Sequence, residues 1–218
     1  MRLEIMEETH SSGEADAGSP SESPAEQPGR SKKKRSRPLE LFETIFIALL
    51  LAILIRATLA EARFIPSGSM IPTLLVGDRL VVEKLSYYLG PPHRGDIVVF
   101  YPPDPYAKPL DGTGRFLRWL GFTSNAAYIK RVIGLPGETL SVHNGKVLIN
   151  GKPLNEPYIQ TPPFDETSPV KIPPDNYFMM GDNRNNSRDS RVWGTMPREN
   201  VIGRTFLRFW PLNRMGMP

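Results

Sequence analysis

The chain has 218 residues and a net charge of +4, with 39% hydrophobic residues, 23 prolines and 18 glycines. So many helix breakers exclude a helical bundle. The absence of cysteine excludes a disulfide scaffold, a thiol nucleophile and Cys-ligated zinc or iron–sulfur sites. The charge is unevenly spread: residues 1–29 carry a net −6, residues 30–37 (RSKKKRSR) +6, residues 38–56 −1 and residues 57–218 +5. A basic knot of this kind binds nucleic acid or marks the cytoplasmic end of a membrane span, and the segment behind it decides between the two.

Residues 1–29 are rich in Ser, Glu, Gly and Pro and nearly devoid of large apolar side chains. They cannot bury enough surface to offset their conformational entropy, which predicts disorder. After the knot, Leu41–Ala60 forms a 20-residue apolar stretch with only Glu43 and Arg56 charged, both near its ends. That length suits a single bilayer-spanning helix. Two alternatives compete: a cleaved signal peptide with an apolar core at Ile45–Ile55 and a cut after Ala60-Glu61-Ala62, and a buried core helix. The long N-terminal preamble favours the anchor. Positive charges ahead of the span keep the N-terminus cytoplasmic and place the remainder outside. The expected organisation is a disordered cytoplasmic tail with its basic knot (1–37), a transmembrane helix (38–62) and an extracytoplasmic β-rich domain (63–218). An apolar span directly behind the knot argues against nucleic acid as partner and for the lipid bilayer.

Beyond Phe64 the pattern is β. Short β-branched runs occur at Asp78–Leu85, Asp96–Tyr101, Tyr128–Ile133, Leu140–His143, Lys146–Ile149, Tyr177–Met180 and Val201–Trp210, with hairpin signals at Asn144-Gly145 and Asn150-Gly151. This spacing predicts a mainly β fold, an antiparallel sheet or barrel-like domain behind one helix. The long loop 102–127 interrupts it with RFLRWLGF (Arg115–Phe122), whose mixture of aromatic and basic residues suits a lipid interface as well as core packing.

No GxSxG, HExxH or GxxxxGK[ST] motif is present, and no metal or cofactor is expected. His10 lies in the tail, while His93 and His143 sit at turns, which makes none of them a compelling base for a serine triad. Two segments stand out. Ile65-Pro-Ser-Gly-Ser-Met-Ile-Pro-Thr-Leu74 puts two hydroxyls on a constrained turn, and Gly181-Asp-Asn-Arg-Asn-Asn-Ser-Arg-Asp-Ser-Arg191 has no apolar side chain. The second is either a solvated loop or a hydrogen-bonded frame for a charged group.

Together with Tyr128-Ile-Lys-Arg-Val-Ile-Gly-Leu-Pro-Gly137 and the Gly95-Asp-Ile-Val-Val-Phe100 strand, these segments resemble, in order, the motifs of the type I signal peptidases. Those are membrane-anchored serine endopeptidases that remove signal peptides from exported precursors. The resemblance spans roughly residues 40–212. It implies Ser69 as nucleophile, Lys130 as general base, Ser67 as an oxyanion-hole hydroxyl and Ser187 as a hydroxyl orienting the lysine. Asp189 and Arg191 would brace the site as an ion pair. Ile65, Met70, Leu74, Tyr128 and Ile129 would form shallow pockets for a small-x-small site. It further implies signal-peptide-bearing precursors as partners and a bacterial plasma membrane as location, with a thylakoid membrane as the alternative. Asn185 stands where the family commonly has Asp, and the 102–127 loop is longer than usual. A catalytically inactive, membrane-tethered binding protein for exported chains is the second reading. A lysine base must have its pKa lowered from ~10.4, where only ~0.4% is neutral at pH 8; burial can supply this. Strand alternation puts Lys130 with Tyr128 and Val132 but leaves open which face is buried.

Overall fold

The computed structural model of the chain describes residues 37–103, 111–119 and 127–218. The acidic tail, most of the basic knot and parts of the 102–127 loop lie outside the described residues. Helix α1 (Arg37–Thr58) has 22 residues, a mean hydropathy of 2.3 over its most apolar stretch, and no part of that stretch buried in protein. At 1.5 Å per residue it reaches about 33 Å, enough for a hydrocarbon layer of about 30 Å. Thr44 and Thr58 return their hydroxyls to the carbonyls of Glu40 (2.8 Å) and Leu54 (2.7 Å), so neither is left unpaired on an apolar surface. Only Ala57 is buried, so α1 is not a core helix of the domain behind it. The helix ends at Thr58, short of the expected boundary at residue 62, because Ala60–Phe64 is already strand.

Among the described residues the rest is built from eleven strands: β1 (Ala60–Phe64), β2 (Arg79–Glu83), β3 (Ile97–Phe100), β4 (Tyr128–Gly134), β5 (Thr139–His143), β6 (Lys146–Ile149), β7 (Lys152–Pro153), β8 (Thr167–Lys171), β9 (Asn176–Met180), β10 (Met196–Pro197) and β11 (Val201–Trp210). Short helices are α2 (Leu85–Leu89), α3 (Gly112–Trp119) and α4 (Ser190–Trp193). A seven-stranded antiparallel sheet runs β1-β2-β11-β3-β4-β9-β10, and a four-stranded sheet runs β7-β6-β5-β8. Asn144 (φ 51°) and Gly145 (φ 70°) both take positive φ, as the tight β5–β6 hairpin requires.

Three apolar clusters fill the interior. Ile65, Met70, Leu74, Leu80, Val82, Ile97, Val99 and Ile129 join the segment after β1 to the large sheet. Val98, Phe100, Val132, Tyr177, Met179 and Met196 pack on its other face. Ile133, Leu140, Val142, Val147, Ile172, Phe178 and Met180 join the two sheets. Strand β4 contributes to all three, directly or through the half-buried Tyr128, so its residues from Ile129 to Gly134 are buried on both faces. Lys130 therefore has no solvated face to turn to.

Candidate active site

Ser69 sits in the turn after β1, and Lys130 lies on β4 opposite Val98 of β3. Although 61 residues apart in sequence, their side chains meet: Lys130 Nζ lies 2.7 Å from Ser69 Oγ, and it also donates to the Ile129 carbonyl at 3.0 Å. Lys130 is 5% exposed and Ser69 8% exposed. Burial lowers the Lys130 pKa to about 8, against the opposing pull of the Asp189 and Asp182 carboxylates. At pH 7 about a tenth of this amine is unprotonated, and at pH 8 about half. With a charged amine, Nζ donates to Oγ; once the proton is lost, the direction reverses and the hydroxyl proton points at the lone pair.

Much of the polar run 181–191 is folded inward, with Asn185, Asn186 and Arg188 left exposed. Asp182, Arg184, Asp189 and Ser190 are all buried. Gly181 N–H donates to Asp189 (3.0 Å), and Asn183 N–H donates to the Ser69 carbonyl (3.1 Å). Asn183 Nδ2 donates to the Gly68 carbonyl at 3.0 Å, so this run clamps the Ser69 turn from outside. Gly181 is needed for close approach: a Cβ there would collide with the Ser69 carbonyl and with Ser187. Asp189 caps α4 and holds Arg191 through two 2.8 Å contacts, while Arg191 reaches on to Asp165 at 2.9 Å.

The remaining residues implied by the resemblance are spread around this centre. Ser187 is packed against Gly181, but its Oγ is buried without a hydrogen-bond partner, so the expected bond to the lysine is not made. Ser67 is exposed on the bend before Ser69. Ile65, Met70, Leu74 and Ile129 are all buried in one core cluster, and Met70 and Leu74 have no exposed surface. They lie under the Ser69 turn and do not line an open pocket. Tyr128 is half-buried, its ring centroid 5.8 Å from Lys130 Nζ. The edge of β4 is open beside the dyad: β9 pairs only with Arg131–Gly134, so Tyr128–Lys130 are paired on the β3 side alone.

Sequence reasoning missed the frame around the dyad. Arg131, the residue after the lysine, makes a two-pronged bond to Asp182 (2.8 and 2.6 Å), and Thr73 donates to the same carboxylate at 2.6 Å. The Arg131 guanidinium stacks 4.0 Å over Tyr158, whose hydroxyl donates to Glu156 at 2.9 Å. Glu156 in turn holds the buried Arg184 through bonds of 2.9 and 2.6 Å. Burial and the neighbouring Glu156 push the Tyr158 pKa upward, which keeps its hydroxyl a donor. Arg131 and Asp182 were present in the singled-out segments. Glu156 and Tyr158 carried no local signal, since they act only through long-range contacts.

His93 is exposed and 3.8 Å from Asp96, and His143 is exposed and 2.7 Å from Glu166, so each is engaged away from Ser69. Among the described residues, no group of three or more histidines and acidic side chains could hold a metal ion. A cavity of about 640 Å³ lined by Tyr87, Tyr88, Asp175 and Arg198 includes neither dyad residue.

This is the arrangement of a β-rich hydrolase tethered by one apolar helix, and comparison with known proteins gives the same class. Residues 39–210 match the family described as signal peptidase, peptidase S26. Signal peptidase I of Leptolyngbya laminosa is 52% identical over 206 residues, covering 94% of this chain and 96% of that protein. Probable signal peptidase I-2 of Synechocystis is 51% identical over 191 residues, covering 86% and 82%. The chloroplastic thylakoidal processing peptidase 1 of Arabidopsis thaliana is 38% identical over 170 residues, covering 78% of this chain and 48% of that protein. The chain belongs to the S26 signal peptidase family, and it is a hydrolase of that class.

Proposed function

We propose that the protein is a serine endopeptidase that removes signal peptides from exported precursors, cutting after a small-x-small site with Ser69 as nucleophile and Lys130 as base. The observation that carries this reading is the 2.7 Å contact between a buried lysine of lowered pKa and a buried serine hydroxyl. The neutral amine takes the Ser69 proton as Oγ attacks the scissile carbonyl. The resulting ammonium then gives that proton to the leaving amine, and a water activated by the same lysine releases the acyl group. The Ser69 backbone N–H and the Ser67 hydroxyl are assigned to the developing oxyanion. Ser187 and the Asp189–Arg191 pair shape the wall behind Lys130. The substrate is bound as an added strand along the open edge of Tyr128–Lys130. Its side chains two residues apart point to the same face of that added strand.

Helix α1 is the membrane anchor. The basic knot orients it with the N-terminus in the cytoplasm and residues 63–218 on the far side of a bacterial plasma or thylakoid membrane. The full-length protein in detergent is expected to cleave a precursor with one small-x-small site at that site. Ser69→Ala should abolish the cut. Cleavage that survives Ser69→Ala rejects Ser69 as the nucleophile, and no cleavage by wild-type protein rejects this reading in favour of a binding protein.

A further inference from the structure

The junction between anchor and domain is built more tightly than a tether needs. One residue, Leu59, separates α1 from β1, and Ser69 comes five residues after β1 ends. The last carbonyls of a helix have no partner within it. Here one of them, that of Arg56, accepts a 2.9 Å hydrogen bond from Nζ of Lys84, the residue that follows β2. The backbone N–H of Lys84 donates to the Leu59 carbonyl at 2.8 Å, so Lys84 grips the joint at two points. Its side chain is only 8% exposed, and its ammonium lies 3.2 Å from the buried carboxylate of Glu61. Glu61 is fixed from its other oxygen by Arg63, whose Nε donates at 2.6 Å. The helix end, the strand leading to the nucleophile and the next strand are thereby locked by one buried cation, placed where the helix dipole favours it.

We infer that Lys84, held by Glu61, is a positioning residue that fixes the height and tilt of the Ser69–Lys130 site over the bilayer, and so selects which bond of a membrane-inserted precursor is cut. The inference rests on the proposed peptidase reading. A signal peptide lodged in the same bilayer presents its cleavage site at a set height. A misplacement of about 1 Å in the reacting geometry can cost about 10²-fold in rate. A soluble peptide can reach the site at any height and is indifferent to the joint.

The test uses the full-length protein in phosphatidylcholine–phosphatidylglycerol vesicles, with Lys84→Met, Glu61→Gln and Lys84→Arg. Two substrates are compared: a membrane-inserted precursor bearing two small-x-small sites a few residues apart, and a short soluble peptide with one site. Lys84→Met and Glu61→Gln should keep kcat/KM on the peptide within about twofold. On the precursor they should lose about tenfold or redistribute cuts between the two sites, and Lys84→Arg should largely restore the wild-type ratio. Because the chain has no cysteine, Phe164→Cys at an exposed position gives a unique spin label, whose distance to a headgroup relaxation agent should broaden in Lys84→Met. Equal losses on both substrates, or an unchanged precursor pattern with an unchanged label distance, overturn the inference. Inactivity of wild-type protein on both substrates would instead reject the peptidase reading, while the label distance still reports on the joint. If Lys84→Met does not fold, Glu61→Gln, which keeps a hydrogen-bonding side chain, decides.

Discussion

A base that must be neutral at working pH is a stability cost below its pKa, and replacing Lys130 by Met measures that cost. Lys130 titrates at about 8 in the folded protein against 10.5 unperturbed. At 1.36 kcal/mol per pKa unit, the charged form loses about 3 kcal/mol on folding. Below pH 8 the lysine is protonated in both states and the penalty is full. Between pH 8 and 10.5 the unfolded chain binds more protons than the folded one, so stability rises with pH and the penalty disappears. Met at this position keeps most of the buried volume. It forgoes two hydrogen bonds, to Ser69 Oγ and the Ile129 carbonyl, together worth about 1–2 kcal/mol. Lys130→Met should therefore be inactive yet more stable by about 1–2 kcal/mol at pH 7, or about 2–8 °C in Tm for a chain of this size. Thermal unfolding of the detergent-solubilised proteins from pH 6 to pH 10.5 reads the difference. The gain should shrink above pH 8 and vanish or invert by pH 10. A variant less stable than wild type at pH 7, or a gain that grows with pH, would refute the argument that desolvation lowers this pKa.

Gly181→Ala places a methyl group against the Ser69 carbonyl and Ser187; it should destabilise by about 1–3 kcal/mol and lower kcat/KM by about 10²-fold, and wild-type kinetics would contradict the packing described. Glu156→Ala leaves the buried Arg184 guanidinium without its carboxylate, so chemical denaturation should report a loss of about 3–5 kcal/mol; a loss under 1 kcal/mol would mean that this pair does not hold the 181–191 segment.

How much of the fold and site was legible in the sequence depended on range. Strands β2, β3, β4, β5, β6, β9 and β11 were visible as β-branched runs, because alternation and turn chemistry are local. Strand β1 was hidden because AEARF looks polar; Glu61 is buried only through its ion pairs with Lys84 and Arg63. Strand β8 (TSPVK) was hidden by its proline, which a sheet tolerates at an edge, and β8 is the edge of the small sheet. The dyad residues were named from motif order, but alternation along β4 could not say which face of the strand was dry. The apolar clusters on its two faces, one holding Ile129 and the other Val132, remove the choice, since both faces are covered. The polar 181–191 run read equally as solvated loop or frame, and only long-range partners such as Asn183 with the Ser69 turn distinguish them. Met70 and Leu74 were assigned to pocket walls by resemblance. Their complete burial results from the turn after β1 folding onto the large sheet, which no local pattern announces.

The pH dependence of kcat/KM for one small-x-small substrate, measured with the full-length enzyme, tests the Ser–Lys mechanism most directly. The rate should rise along a single limb with its midpoint near the Lys130 value of about 8, well below the 10.5 of a free lysine. Lys130→Arg, which keeps the charge but cannot release a proton in this range, should be as inactive as Ser69→Ala, while His93→Ala and His143→Ala keep near-full rate. Substantial cleavage by Lys130→Arg, or its loss on replacing either histidine, would contradict the mechanism and restore a histidine base.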